Sequence, residues 1–396
     1  MPKVSILMPA CNVEKYIREC MDSVIGQTLR DIEIIVVNDG SKDSTPAILD
    51  EYAAADDRIQ VIHKVNTGYG HSMNVALDKA TGDYIGIIET DDFADSEMFE
   101  TLYDLAVEND LDVVKSNYYD YYATDPDKCV HVQSVNKVGV INEVFTPADH
   151  PMVFNVTPSV WSGLYRRSML EDNHIRFTET PGASYQDTGF AFKVWASADK
   201  VMLLDEAFLH YRRDNESSSV NNPGKVFCVC DEIAEIEAFL DRNPDKKAKF
   251  EDAMNLRTWR ISDWNLARLG LEYKYAFLLW MADKMKGLLS EGKLREDMLL
   301  PYEWKQVNSM AEDPQQYFRN ICKTELNGKA NITEVLEENS KLKQKLKASK
   351  TKVAELREEK KELKAKLKKI KNSNSYKIGI KITSVPRAIR KSFSGQ

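Results

Sequence analysis

No stretch of this 396-residue chain approaches the roughly 18 consecutive apolar residues that a membrane span requires. The nearest attempt, YAFLLWMADKMKGLL, is broken by Asp283, Lys284 and Lys286, so the chain is not expected to cross a membrane. A secretory leader is not expected either. The opening MPKVSILMPACN has one lysine and a short apolar run ending in proline, with no small-residue cleavage site. Cysteine is sparse: the six thiols (Cys11, Cys20, Cys129, Cys228, Cys230, Cys322) are scattered, and the C-x-C at Cys228 and Cys230 has no second pair to complete a zinc framework. Reduced thiols in a cytoplasmic protein are the expectation. No G-x-G-x-x-G follows the first apolar run, which disfavours a dinucleotide dehydrogenase.

What is present is the composition of an ordinary soluble protein, 43% hydrophobic and 29% charged, in a chain long enough for two or three units. The net charge of −8 is unevenly spread. From Lys341 onward 19 Lys and Arg face 4 acidic residues, so an acidic body carries a basic tail. Early in the chain four apolar runs (VSILMP, IEIIVVND, IQVIHK, YIGIIET) alternate with helical patterns over Glu14–Ile25, Pro46–Ala55, Gly70–Ala80 and Ser96–Glu108. Thr45 before Pro46 reads as an N-cap followed by proline at the first helical position. This alternation predicts βαβ units and a parallel sheet buried on both faces, with ligands bound beyond the carboxyl ends of the strands. Those ends read MPACN, VNDGS and ETDD. Glu89, Asp91 and Asp92 repel one another at such spacing, which calls for a positive partner.

The stretches VSILMPACNVEKYIRECMDSVIGQTLRDIEIIVVNDGSKDST and NTGYGHSMNVALDKATGDYIGIIETDD resemble the opening of a family 2 glycosyltransferase, inverting and of the bacterial surface-glycan type. The resemblance covers about the first 220 residues. It implies a GT-A fold, a Rossmann-like and mostly parallel sheet flanked by helices, and transfer of one sugar from a nucleotide-diphosphate donor, a UDP-sugar in the first instance. Pro9, Asn12, Glu14 and Asp39 would form the nucleoside shelf, and Lys64, Asn66, Gly68 and Asn74 the loop facing the donor. Glu89-Thr90-Asp91 resembles the family's D-x-D, with Asp91 as ligand to Mn²⁺ or Mg²⁺; Glu89 departs from the usual Asp and would turn its longer arm to the donor ribose or sugar. GASYQDTGFAFKVW resembles the segment that carries the general base, with Asp187 in that role and Gln186 in place of a Glu. Trp161, Asp92 and Gln186 are assigned to the acceptor side. LHYRRDNESSS resembles the segment that follows, with His210 as a further metal ligand and Arg212 or Arg213 toward the pyrophosphate. Each role has a plainer rival: Asp39 as a turn cap, Asp187 as an N-cap, and His210 and the arginines as strand-end residues. Processive members carry Q-x-x-R-W and membrane helices, both absent here, which implies one sugar per encounter.

Four parts are expected: a glycosyltransferase domain over 1–222 (donor half 1–110, acceptor half 111–222), a helical domain over 223–330, a coiled coil over 331–372 and a basic amphipathic tail over 373–396. Heptads place Ile332, Asn339, Leu346, Val353, Lys360 and Leu367 at a, and Val335, Leu342, Ser349, Leu356, Leu363 and Ile370 at d, a pattern for a parallel homodimer; a solvated single helix is the rival. In the tail, Lys377, Lys381, Arg387, Arg390 and Lys391 interleave with apolar residues, which suits an anionic membrane surface; disorder and nucleic acid are the rivals, and no nucleic-acid partner is expected. The expected partners are a nucleotide-sugar donor and a glycan or lipid-linked acceptor, at the inner face of the cell membrane. A transferase for teichoic-acid-like polymers with another nucleotide donor, and a non-catalytic dimeric scaffold docking on membranes, are the competing readings.

Overall fold

The computed structural model describes residues 2–183, 185–215 and 225–325. The described strands are β1 (Val4–Ala10), β2 (Ile32–Asp39), β3 (Ile59–Lys64), β4 (Tyr84–Ile87), β5 (Phe93–Ala94), β6 (Val113–Tyr121), β7 (Val130–Val132), β8 (Val144–Phe145), β9 (Gly163–Arg166) and β10 (Val201–Arg212). The helices are α1 (Ile17–Ile25), α2 (Thr45–Ala55), α3 (Tyr69–Leu77), α4 (Met98–Glu108), α5 (Arg167–Asp172), α6 (Gln186–Trp195), α7 (Cys228–Arg242), α8 (Pro244–Arg268), α9 (Leu271–Ser290), α10 (Pro301–Glu312) and α11 (Pro314–Glu325).

The strands form one mixed sheet in the order β3-β2-β1-β4-β9-β6-β10-β5, with β7 on β6 and β8 on β10. The expected α/β class holds. The β3-β2-β1-β4 half is wholly parallel, and β6 runs parallel to β10; β9 is inserted antiparallel between β4 and β6. Nearly every residue of β1 and β2 is buried, as in parallel strands covered on both faces, where no polar face alternates with an apolar one. Thr45 is not the N-cap that the sequence suggests: it is the first residue of α2, and its hydroxyl instead accepts the Val13 N–H at 3.0 Å. Asp43 takes over the helix end by accepting the Thr45 N–H at 3.1 Å.

The two-residue β5 matters beyond its length. It pairs antiparallel with the end of β10, His210 opposite Phe93 and Leu209 opposite Ala94. The acidic turn after β4 is thereby fastened to the far end of the sheet.

Residues Met1–Tyr317 form one compact unit, which takes in α7 to α10 with the sheet, and Phe318–Gln396 a second. Ile236, Phe239, Phe250 and Met254 from the helical stretch belong to the same buried cluster as the strands. Among the described residues no helix is long and apolar enough to cross a membrane. The coiled coil expected over 331–372 and the basic tail over 373–396 lie outside the described residues.

Candidate active site

A cavity of about 370 Å³ opens at the carboxyl ends of β1, β2 and β4. It gathers Pro9, Asn12, Asp39, Asn66, Glu89, Thr90, Asp91, Trp161, Gln186 and Asp187 from the expected residues. It also gathers residues that sequence reading passed over: Cys11, Tyr69, Ser72, Tyr185, Tyr211 and Asn215. Tyr69 stands directly before the helix predicted over Gly70–Ala80, and Tyr185 lies within the segment GASYQDTGFAFKVW, which was the signal available for them.

On the β2 side, Asp39 is the hub of a loop clamp. Its Oδ1 accepts from Lys64 Nζ and from the Thr67 N–H at 2.8 Å, and its Oδ2 from the Gly68 N–H at 2.9 Å. Burial alone would raise its pKa, but the Lys64, Thr67 and Gly68 hydrogen bonds outweigh it and hold the carboxyl below its ordinary value. Gly68 has a φ of 99°, and a Cβ there would come within 2.7 Å of the Thr180 carbonyl and 2.9 Å of the Gly182 nitrogen, so only glycine suits this approach. Asn66 Nδ2 donates to the Asp39 carbonyl at 2.9 Å, and the Asn12 side chain accepts the Lys42 N–H at 2.8 Å. Glu14, Lys64 and Gly68 are absent from the cavity wall; Glu14 accepts the Ser44 N–H at 2.8 Å, a brace for the turn before α2. Asn74, expected in the loop facing the donor, is absent from the cavity wall: it is buried, and binds both the N–H and the carbonyl of Phe177, tying α3 to a distant loop.

The acidic turn splits into residues that face the cavity and residues that hold it up. Glu89 Oε1 accepts the Tyr69 hydroxyl at 2.7 Å, and burial pushes its pKa up to about 8, against the lowering effect of Tyr69. Thr90 donates to the Pro9 carbonyl at 2.7 Å, joining the ends of β4 and β1. Asp91 Oδ2 accepts from Asn215 Nδ2 at 2.8 Å. Asp92, expected on the acceptor side, is buried off the cavity wall: it is 1% exposed, its Oδ1 accepts the Arg212 N–H at 2.8 Å, its Oδ2 has no hydrogen-bond partner, and burial raises its pKa well above the usual range. Arg212, expected toward the pyrophosphate, is absent from the cavity wall and braces the backbone of the acidic turn. Its Nε donates to the Asp91 carbonyl at 2.9 Å, it pairs with Glu19, and it packs on Tyr16 and Tyr121. Arg213 pairs with Asp120 at 2.7 Å and lies over Tyr211, also off the cavity wall. His210, expected as a further metal ligand, engages Asp95 through Nε2 at 3.0 Å and stacks its ring on Phe93 and Tyr119, outside the cavity.

Across the cavity, α6 begins at Gln186 after Tyr185, which adopts a left-handed φ of 66°. Gln186 is buried and anchors the preceding loop through Thr180 Oγ1 at 2.8 Å and the Gly182 carbonyl at 3.1 Å. Asp187 accepts the Thr188 N–H at 2.8 Å. Burial pushes its pKa up to about 6, with the Thr188 N–H and the charge of Arg257 pulling the other way. Arg257 on α8 has its own pKa lowered by burial to about 10, and the charge of Asp187 resists that fall. Trp161 stacks on Tyr211 at 5.1 Å, both lining the cavity. The loop that carries Trp161 rests on Lys115, whose buried ammonium donates to the Ser159 carbonyl and to Ser162 Oγ at 2.7 Å. Burial lowers the Lys115 pKa to about 7.

Among the described residues no group of three or more His, Cys, Asp and Glu is arranged to hold a metal unaided. The arrangement brings together a hydrogen-bonding shelf, one carboxylate at a turn and a second carboxylate of raised pKa across the same cavity. That is what transfer of an activated group to a hydroxyl requires.

The family model for glycosyl transferase family 2 matches residues 5–172. The chain is 38% identical over 231 residues to the uncharacterized glycosyltransferase EpsJ of Bacillus subtilis, covering 57% of this chain and 64% of that protein. It is 30% identical over 226 residues to the glycosyltransferase GlyG of Streptococcus pneumoniae, covering 54% of this chain and 72% of that protein. For other relatives the share covered is smaller, such as 30% of the length of the S. pneumoniae glycosyltransferase GlyA. Among solved structures, residues 1–349 of TarS from S. aureus in complex with UDP-GlcNAc align with a TM-score of 0.62 and 21% identity, covering 83% of this chain and 93% of that one. At that identity the likeness is one of fold, and it agrees with the GT-A arrangement expected from the sequence. The chain belongs to the family 2 glycosyltransferases.

Proposed function

We propose that this chain transfers a single sugar, with inversion, from a nucleotide-diphosphate donor of the UDP-sugar type to a glycan or lipid-linked glycan acceptor in surface-polysaccharide synthesis. The observation that carries this reading is Asp187: a carboxyl with pKa raised to about 6, in the same cavity as Asp39 and Asp91. In the proposed reaction the acceptor hydroxyl attacks the anomeric carbon, its proton passes to Asp187, and the nucleoside diphosphate leaves with the bonding electrons of the broken C–O bond. A carboxylate of that pKa is largely ionised at neutral pH and still basic enough to take a proton in the transition state. Asp39, with Asn12 and Asn66 beside it, would orient base and ribose.

A divalent cation fits the residues present in one specific way. Mg²⁺ or Mn²⁺ at such sites is held by one or two carboxylates together with donor phosphates, not by an all-protein cage. Asp91, oriented by Asn215, offers one such carboxylate at the cavity wall. When bound, the ion would supply positive charge to the departing pyrophosphate. The role proposed for Arg212 is to keep Asp91 and Asp92 in place.

Two further elements of the reading rest on the sequence: pairing of two chains through residues 331–372, and attachment to an anionic membrane surface through 373–396. The transfer itself is tested by a thermal-shift screen of UDP- and GDP-sugars with Mn²⁺, followed by nucleotide-release assays. A UDP-sugar should raise the melting temperature. If no nucleotide sugar binds, or if Asp187→Asn releases nucleotide as fast as the natural chain, the proposal fails.

A further inference from the structure

Trp264 on α8 is 44% exposed, although it is one of the largest apolar side chains in the molecule. It stands against the cavity wall: its ring meets Tyr185 edge-to-face at 5.4 Å, and Tyr185 lines the cavity directly before Gln186 and Asp187. The Arg268 guanidinium lies 5.0 Å from the Tyr185 ring centre and 5.5 Å from that of Trp264. Arg268 is itself fixed, donating to Asn265 Oδ1 at 2.9 Å and to the Lys225 carbonyl at 2.7 Å. Two polar groups beside this patch are unused. The Tyr185 hydroxyl is buried without a hydrogen-bond partner. Arg257 shows no hydrogen bond or ion pair among the described residues, although its charge and that of Asp187 act on each other. Spacings of seven and four put Arg257, Trp264 and Arg268 on one face of α8, the face that meets Tyr185.

A solvent-facing indole continuous with a cavity wall, with unused donors between it and a carboxylate, is a surface for a sugar ring. The C–H face of a pyranose packs on an aromatic ring while its rim of hydroxyls takes hydrogen bonds. We propose that α8 builds a second acceptor subsite, in which Trp264 stacks a sugar ring of an oligosaccharide whose attacking hydroxyl lies at Asp187. Arg257 and the Tyr185 hydroxyl hydrogen-bond the same saccharide between those two points. The placement of the attacking hydroxyl rests on the transfer reading; the stacking of a saccharide at Trp264 does not.

The test uses the full chain labelled with 5-fluorotryptophan, whose six ¹⁹F signals are assigned by single substitutions. The probes are cellotriose, chitotriose, UDP, and vesicles of phosphatidylglycerol. At least one trisaccharide should shift the Trp264 signal with low-millimolar affinity. Trp264→Ala should weaken that binding about 3- to 10-fold, the size of one stacked ring, and Arg257→Gln should also weaken it. UDP affinity should stay within about twofold in both variants, since neither residue lies on the donor shelf, and this also reports intact folding. Trisaccharide binding that leaves Trp264 unmoved overturns the inference. So does the absence of trisaccharide binding to a chain that binds UDP, or loss of vesicle binding with unchanged saccharide binding in Trp264→Ala. A chain that binds saccharide at Trp264 but neither UDP nor a nucleotide sugar would refute the transfer reading and leave the subsite standing.

Discussion

Asp187 illustrates how one carboxyl can be tuned by its surroundings. Burial lifts its pKa to about 6, so a base at this position is protonated in acid and ionised above that value. Nucleotide release in the presence of acceptor should therefore climb with pH through about 6 and level off. Arg257→Gln removes charge that favours the ionised form, so the rising limb should move to higher pH. Asp187→Asn should lower kcat by about 10²- to 10⁴-fold while donor KM stays nearly constant. Asp187, Asp39 and Asp91, which short motifs in fixed order mark in the sequence, all line the same cavity. The partners that the structure gives His210, Arg212, Asn74 and Asp92 were not readable in the sequence, for a physical reason. Whether such a side chain faces the cavity or the protein depends on partners such as Asp95 and Phe177, 115 and 103 residues away from His210 and Asn74. No local pattern encodes a choice of that kind.

At the level of elements, the site depends on close approaches and on buried charge. A Cβ at Gly70 in α3 would collide with the Thr178 carbonyl, backbone that cannot swing aside. Gly70→Ala should destabilise the fold by about 1–3 kcal/mol, seen as a fall of several degrees in melting temperature. Glu232 on α7 is fully buried against α6, where its Oε2 accepts from Thr178 at 3.1 Å and its Oε1 has no hydrogen-bond partner. Burial pushes its pKa up to about 8. A carboxyl whose folded-state pKa is raised stabilises the fold in acid and loses that contribution as pH climbs through the folded value. Glu232→Gln should thus melt near the natural chain at pH ~5 but higher at pH ~9, by about 1–3 kcal/mol; equal gaps at both pH values would contradict the assignment. The parallel half was readable as four apolar runs between helical patterns, because local burial and periodicity set it. The insertion of β9 between β4 and β6, and the pairing of β5 with β10, were not readable, since both are long-range pairings of short strands.

At the scale of the whole molecule, the basic stretch at the end of an acidic chain gives a separate expectation. Sedimentation velocity at micromolar concentration should find a dimer for the full chain and a monomer for a chain ended at Asn331. Liposomes containing phosphatidylglycerol should retain the full chain and lose it when the residues after Asn372 are removed or when salt is raised. A monomer in both forms would rule out the pairing, and salt-independent retention would rule out an electrostatic tether. The hydrogen bonds that set the acidic turn carry a consequence of another kind. Asp91 is positioned by Asn215, 124 residues later, and Asp92 by the Arg212 backbone, 120 residues later. A chain still emerging from the ribosome owns its acids long before it owns the groups that aim them. In such a nascent chain the acidic turn lacks its fixing partners until synthesis has passed Asn215.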